Sequence, residues 1–142
     1  MQVEASPIAK GLWQGSAPPP GDAVRQSGFD VLVLCAQEYQ PPAEHFPGVQ
    51  VIHAPNLDGG EPLDRPRLAL ALQAARQAAQ AIRQGKQVLS TCRMGLNRSG
   101  LVSALTLYFL TGSPGVRCVE QVQRGRPGGL ANPKFVAALA RL

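Results

Sequence analysis

Aromatic residues are scarce in this chain, at 5% of the composition, and they are not interleaved with basic residues. A surface that stacks nucleic-acid bases needs that interleaving, so specific nucleic-acid binding is not expected. Cysteine is also rare: Cys35, Cys92 and Cys118 are widely spaced, odd in number and form no C-x-x-C pair. This excludes a disulfide framework and a zinc site, and it fits a reduced, cytoplasmic setting. The two histidines, His45 and His53, have no partner at metal-ligand spacing, so neither a metal nor another cofactor is expected. No apolar run reaches the roughly 18 residues of a membrane span. The stretch Met1-Gln2-Val3-Glu4-Ala5-Ser6-Pro7 has neither the basic nor the apolar part of a secretory signal.

Acidic side chains are outnumbered nine to fourteen, which leaves a net charge of +5. The arginines are spread along the chain, so the charge favours anionic substrates without marking a nucleic-acid-binding tail. At 142 residues, one domain spanning 1–142 can bury a core without cross-links. Ile8 to Gln14 reads as an edge hairpin with Trp13 in the core. Asp22 reads as the cap of a short helix that Gly28 ends. Val31 to Cys35 is apolar throughout, the pattern of a strand buried on both faces, and Val49 to His53 is a second strand. Asp64 caps a long helix with Leu68, Leu72, Ala75, Ala79 and Ile82 on one face, and Gly85 stops it. Ser113-Pro114 opens a further helix with Val119 and Val122 inward and Gly125 at its end. Asn132-Pro133 opens the last, with Phe135, Val136 and Leu139 as its buried stripe. Strands alternating with helices predict an α/β domain with a central, mostly parallel sheet flanked by helices.

The stretch from Val88 to Gly100 carries the chemistry. A short apolar strand ends at Thr91, the thiol of Cys92 follows, and Arg98 stands six positions further on, just before the helical segment Leu101 to Leu110. Gly95 sits mid-loop, where the backbone has to curl for its N–H groups to face inward. N–H groups from Arg93, Met94, Gly95, Leu96, Asn97 and Arg98 at a helix N-terminus form an oxyanion cradle. The same partial positive charge, with a guanidinium nearby, favours the thiolate that a nucleophilic cysteine needs. Arg98 can grip two phosphate oxygens in a fork, which lysine cannot. Ser99 can hydrogen-bond the sulfur and help it leave. Cys35 and Cys118, on apolar elements, read as inert core cysteines. Arg93 reads as a rim charge and Lys86 as a solvated turn residue.

This loop resembles the phosphate-binding loop of the cysteine-dependent protein tyrosine phosphatases, and most resembles their small dual-specificity branch. Gly85-Lys86-Gln87-Val88-Leu89 is similar to that branch's strand lead-in, Arg126-Pro127 to the pair before its last helix, and Asn132 to Leu139 to its closing helix. The resemblance implies a metal-free, two-step hydrolysis of phosphate monoesters through a phosphocysteine, on phosphotyrosine or phosphoserine/threonine in proteins or on small phosphoesters. It also implies a general acid on a loop upstream of the cysteine. Asp58, in the Gly-rich segment after Pro55, takes that role, with Glu61 and Asp64 as competitors. Asn132, a helix cap, gains an auxiliary role in positioning substrate or water. One departure stands out: the family places a histidine before the cysteine, and this chain has Thr91. A hydroxyl can still donate there, so activity is expected with a thiol that ionises less readily. Two other readings compete: a phosphate-binding pseudophosphatase, and a rhodanese-like sulfurtransferase, against which Asp58 and Arg98-Ser99 argue.

Overall fold

The computed structural model describes residues 3–142; Met1 and Gln2, the first residues of the stretch scanned for a signal, lie outside them. Five strands form one sheet: β1 (Ala5–Ala9), β2 (Leu12–Gly15), β3 (Val31–Ala36), β4 (Gln50–Asn56) and β5 (Val88–Thr91). Their spatial order is β1-β2-β5-β3-β4, parallel throughout except for the antiparallel β1–β2 pair. The helices are α1 (Ala23–Gln26), α2 (Arg65–Arg83), α3 (Arg98–Thr111), α4 (Gly115–Gly125) and α5 (Pro133–Leu139). The α/β architecture expected from the alternation is therefore the one observed.

β3 is buried at every position because both of its faces are covered. Val31, Val33 and Cys35 join the large core beneath the long helices, whereas Leu32 and Leu34 pack with Val24, Phe29, Phe46 and Leu89 on the other face. α3 is buried at every position from Arg98 to Leu107, including the small polar residues Ser99, Ser103 and Thr106, as befits a helix enclosed by the sheet and other helices. α2 shows how it is enclosed. Its buried side chains are Ala71, Ala74, Ala75, Ala78, Ala79 and Ala81, while Leu68, Leu72 and Ile82 are only half-buried. Of the five positions expected on one face, Ala75 and Ala79 are fully buried and the three larger residues lie at the margins: small residues let α2 approach its neighbours closely, and the larger ones close the edges.

Other boundaries shift for local reasons. β4 continues past His53, the expected end of the strand, through Pro55 to Asn56. A proline is tolerated there because β4 is an edge strand and its register with β3 slips between Leu34 and Ala36. β1, the opposite edge, carries Pro7 beside a similar slip. α3 starts at Arg98, three residues before the expected Leu101, so the arginine and Ser99 occupy its first turn. Ser113 does not cap α4; Pro114 holds that position without a side-chain bond. Asp22 flanks α1 without a capping bond. Asp64 and Asn132 do cap, accepting from the backbone N–H of Arg67 and of Lys134, each at 2.9 Å. The topology has one consequence for function. The carboxyl ends of β3, β4 and β5 lie at the same edge of the sheet, the edge at which open parallel sheets place their ligands.

Candidate active site

β5 delivers Cys92 and its loop onto the N-terminus of α3. The loop is shaped by what holds its carbonyls. Arg93 O accepts from the Ala17 N–H at 3.3 Å, and Leu96 O from the Leu130 N–H at 3.1 Å. Gln14, fully buried on β2, donates its amide to Gly95 O at 2.9 Å and to Leu96 O at 3.3 Å. Arg126 donates to Gly95 O from Nε and to Met94 O from Nη2, both at 3.0 Å. Four consecutive carbonyls are therefore tied to the surrounding scaffold. A planar peptide points its N–H opposite to its C=O, so the N–H groups face the other way, around the cysteine. Among the described residues none of the N–H groups of Arg93 to Asn97 has an acceptor. Gly95 makes the curl possible with φ of 73°.

The thiol and its predicted companions are together. Cys92 Sγ lies 3.2 Å from Ser99 Oγ, and Ser99 O is held by the Ser90 hydroxyl at 3.0 Å. Arg98 is fixed by a residue that sequence reading missed. Glu38, two residues beyond β3, takes Nη1 and Nη2 in a fork at 2.5 and 2.9 Å, and Asn56 O accepts from Nη1 at 3.2 Å. The end of the guanidinium is thus occupied, while the buried Nε has no partner. Its side edge, Nε with the remaining Nη2 proton, has no partner among the described residues, a geometry that matches two oxygens of an oxyanion. The hydrogen bonds from Arg98 hold Glu38 down at a pKa of about 2, and Glu38 in turn raises that of Arg98. The available signal was an acid just past the carboxyl end of a buried strand.

Asp58, at the carboxyl end of β4, is joined to this loop directly. Its Oδ2 accepts from Asn97 Nδ2 at 2.9 Å, and its Oδ1 from Asn132 Nδ2 at 2.8 Å. The competing carboxylates are placed differently. Asp64 caps α2 and pairs with Arg67, which keeps its pKa below the ordinary range. Glu61 is exposed on the wall of a cavity of about 540 Å³ that Asp58 also lines and Cys92 does not. Thr91 does donate, but to the sheet and not to the loop. Its hydroxyl donates to Val33 O at 2.8 Å, satisfying the neighbouring strand and leaving the loop to other donors. Arg93 and Met94 are exposed at the mouth. Cys35 and Cys118 are buried, and burial pushes both thiols up, as suits inert core positions. His45 and His53 are exposed, and His53 Nε2 lies 2.8 Å from Pro41 O.

Glu4 completes the brace behind the loop. It pairs with both Nη atoms of Arg126, the residue that holds the Met94 and Gly95 carbonyls. This hydrogen bonding lowers the Glu4 pKa from 4.5 to about 2. Folding therefore favours the ionised carboxylate. Its stabilising contribution is complete above about pH 4.5 and disappears as the pH falls through about 2. Thermal midpoints of the wild type and of Glu4→Gln should differ at neutral pH and converge between those limits. A gap that stays constant down to pH 2 would show that the pair contributes nothing through its charge.

No family model and no curated protein sequence matches the chain. Solved structures do match it. Human DUSP28 is 23% identical, covering 99% of this chain and 93% of its own, with a TM-score of 0.80. A mouse protein of this type, complexed with zinc tungstate, is 24% identical, covering 99% of this chain and 87% of its own, with a TM-score of 0.82. Tk-PTP in its active form is 25% identical over 99% of both chains, with a TM-score of 0.78. The fold is that of the cysteine-dependent phosphatases. Within that class the chain is structurally similar to the small dual-specificity branch, as the loop resemblance implied.

Proposed function

We propose that the protein hydrolyses phosphate monoesters, on phosphotyrosine and phosphoserine/threonine or on small phosphoesters, through a phosphocysteine and without a metal. The observation that carries this reading is the ring of unpartnered N–H groups around Cys92, completed by the buried, unpartnered Nε of Arg98. Such donors suit a group with three equatorial oxygens, and they act most strongly where charge develops in the transition state. In the first step the Cys92 thiolate attacks phosphorus. The S–P bond forms, the ester P–O bond breaks, and the proton of Asp58 passes to the leaving oxygen. In the second step water attacks phosphorus and gives its proton to Asp58. The S–P bond breaks, and the Ser99 hydroxyl at 3.2 Å stabilises the departing thiolate. The backbone from Arg93 to Arg98 binds the phosphoryl oxygens throughout. Residues 1–142 act as one catalytic unit in a reduced, cytoplasmic setting, a reading supported by three buried free cysteines.

A second reading is a phosphate-binding pseudophosphatase, favoured by the Thr91 hydroxyl being spent on Val33 O. Release of phosphate from a chromogenic aryl phosphate in excess chelator separates the two. The wild type should turn over, and Asp58→Asn should lower kcat by about 10²–10³-fold with little change in the inhibition constant of inorganic phosphate. Tight phosphate binding with no turnover would favour the pseudophosphatase. A sulfurtransferase would instead consume thiosulfate, and for it Asp58→Asn would be silent.

A further inference from the structure

Three side chains from three separate segments close a ring at the end of the phosphate loop. Asn97 belongs to the phosphate loop, Asp58 to the loop after β4, and Asn132 to the start of α5. Asn97 is held at both ends of its amide. Its Oδ1 accepts from the Asn132 backbone N–H at 2.9 Å, and its Nδ2 donates to Asp58 Oδ2 at 2.9 Å. The Asn132 side chain donates to Asp58 Oδ1 at 2.8 Å and to Gly59 O at 3.2 Å, while its own Oδ1 caps α5. These bonds fix the orientation of both amides, since a flip of either would set oxygen against oxygen. Each carboxylate oxygen gives one lone pair to an amide and retains another that can carry the transferred proton.

We propose that Asn97 is a positioning residue: a latch that docks the Asp58 loop on the phosphate loop and aims its carboxyl at the leaving oxygen. This deepens the phosphatase reading and rests on it. As the residue before helix α3, Asn97 makes no side-chain capping bond. Its amide is therefore committed to the latch, and removing it leaves the helix start as it was. The phosphoryl oxygens would still meet the same backbone N–H groups. The loss falls on proton delivery.

The test compares two substrates, one with an acidic phenol as leaving group and one with an alkyl alcohol that leaves only when protonated. Asn97→Ala should lower kcat about tenfold on the alkyl ester and threefold or less on the activated aryl ester. The inhibition constant of inorganic phosphate should hold. Asn97→Asp, which faces Asp58 with a second carboxylate, should lose more on the alkyl ester than Asn97→Ala. In the Asp58→Asn background, Asn97→Ala should add no further loss, because the two act as a unit. Amide hydrogen exchange at residues 57–61 should quicken in Asn97→Ala while exchange in β5 does not. Equal losses on both esters, or unchanged exchange at 57–61, would overturn the latch. If the wild type turns over neither ester, the phosphatase reading fails instead, and the exchange comparison still decides whether the loop is latched.

Discussion

Replacing Cys92 by serine is expected to abolish phosphate release, by about 10⁴-fold or more, while leaving thermal stability and phosphate binding nearly intact. The reasoning starts from burial. Cys92 is 4% exposed, at the bottom of a ring of N–H donors and beside Ser99, so a serine there replaces sulfur in an unchanged cradle. The hydroxyl is a much weaker acid than the thiol and does not ionise under the same field, so nucleophilic attack is lost and anion binding is kept. Kinetics with an aryl phosphate in chelator, paired with inhibition by inorganic phosphate, provide the measurement. Turnover that survives the substitution would remove the phosphocysteine mechanism.

Gly95→Ala should be the most damaging single-methyl change in the loop, to stability as well as activity. The position has φ of 73°, and a Cβ would stand 2.5 Å from Gly15 O and 2.6 Å from Arg126 Nη2. The left-handed conformation costs about 1–2 kcal/mol for an L-residue, and displacing a backbone carbonyl and a buried guanidinium raises the total to about 2–4 kcal/mol. For a chain of this size the thermal midpoint should fall by about 5–15 °C. The same displacement turns the Gly95 and Met94 carbonyls away from Arg126, so kcat should drop by about 10²-fold or more. Gly85→Ala is the control: φ is 84°, but nothing lies within 4 Å of the added methyl. It should cost stability and leave catalysis alone. Matching losses of activity in the two variants would place the effect in global destabilisation and not in crowding of the cradle.

What the sequence discloses and what it hides divide by distance along the chain. β3, the caps at Asp64 and Asn132, the curl at Gly95 and the thiol–arginine spacing all rest on neighbours a few residues apart. The parts of the site that went unread are contacts between remote residues. Gln14 reaches Gly95 across 81 positions, Glu38 reaches Arg98 across 60, and Glu4 reaches Arg126 across 122. No local periodicity reports such pairs. The buried stripe of α2 was legible only in part for a related reason. Periodicity marks Ala75 and Ala79, but the close approach to neighbouring elements that also buries Ala71, Ala74, Ala78 and Ala81 is set by remote segments. Thr91 was legible as a departure, yet its acceptor, Val33 O, is set by the register of β3 against β5.

The two prolines in the outer strands bear on how copies of this molecule meet. Pro7 in β1 and Pro55 in β4 each remove a backbone donor from an outermost strand, and both stand where the ladder slips. An open sheet otherwise offers its free rims as templates for further strands, the route by which crowded or partly opened chains aggregate. Here both rims are blunted by residues that cannot extend the ladder. Self-association, where it occurs, is steered away from strand addition and toward side-chain surfaces.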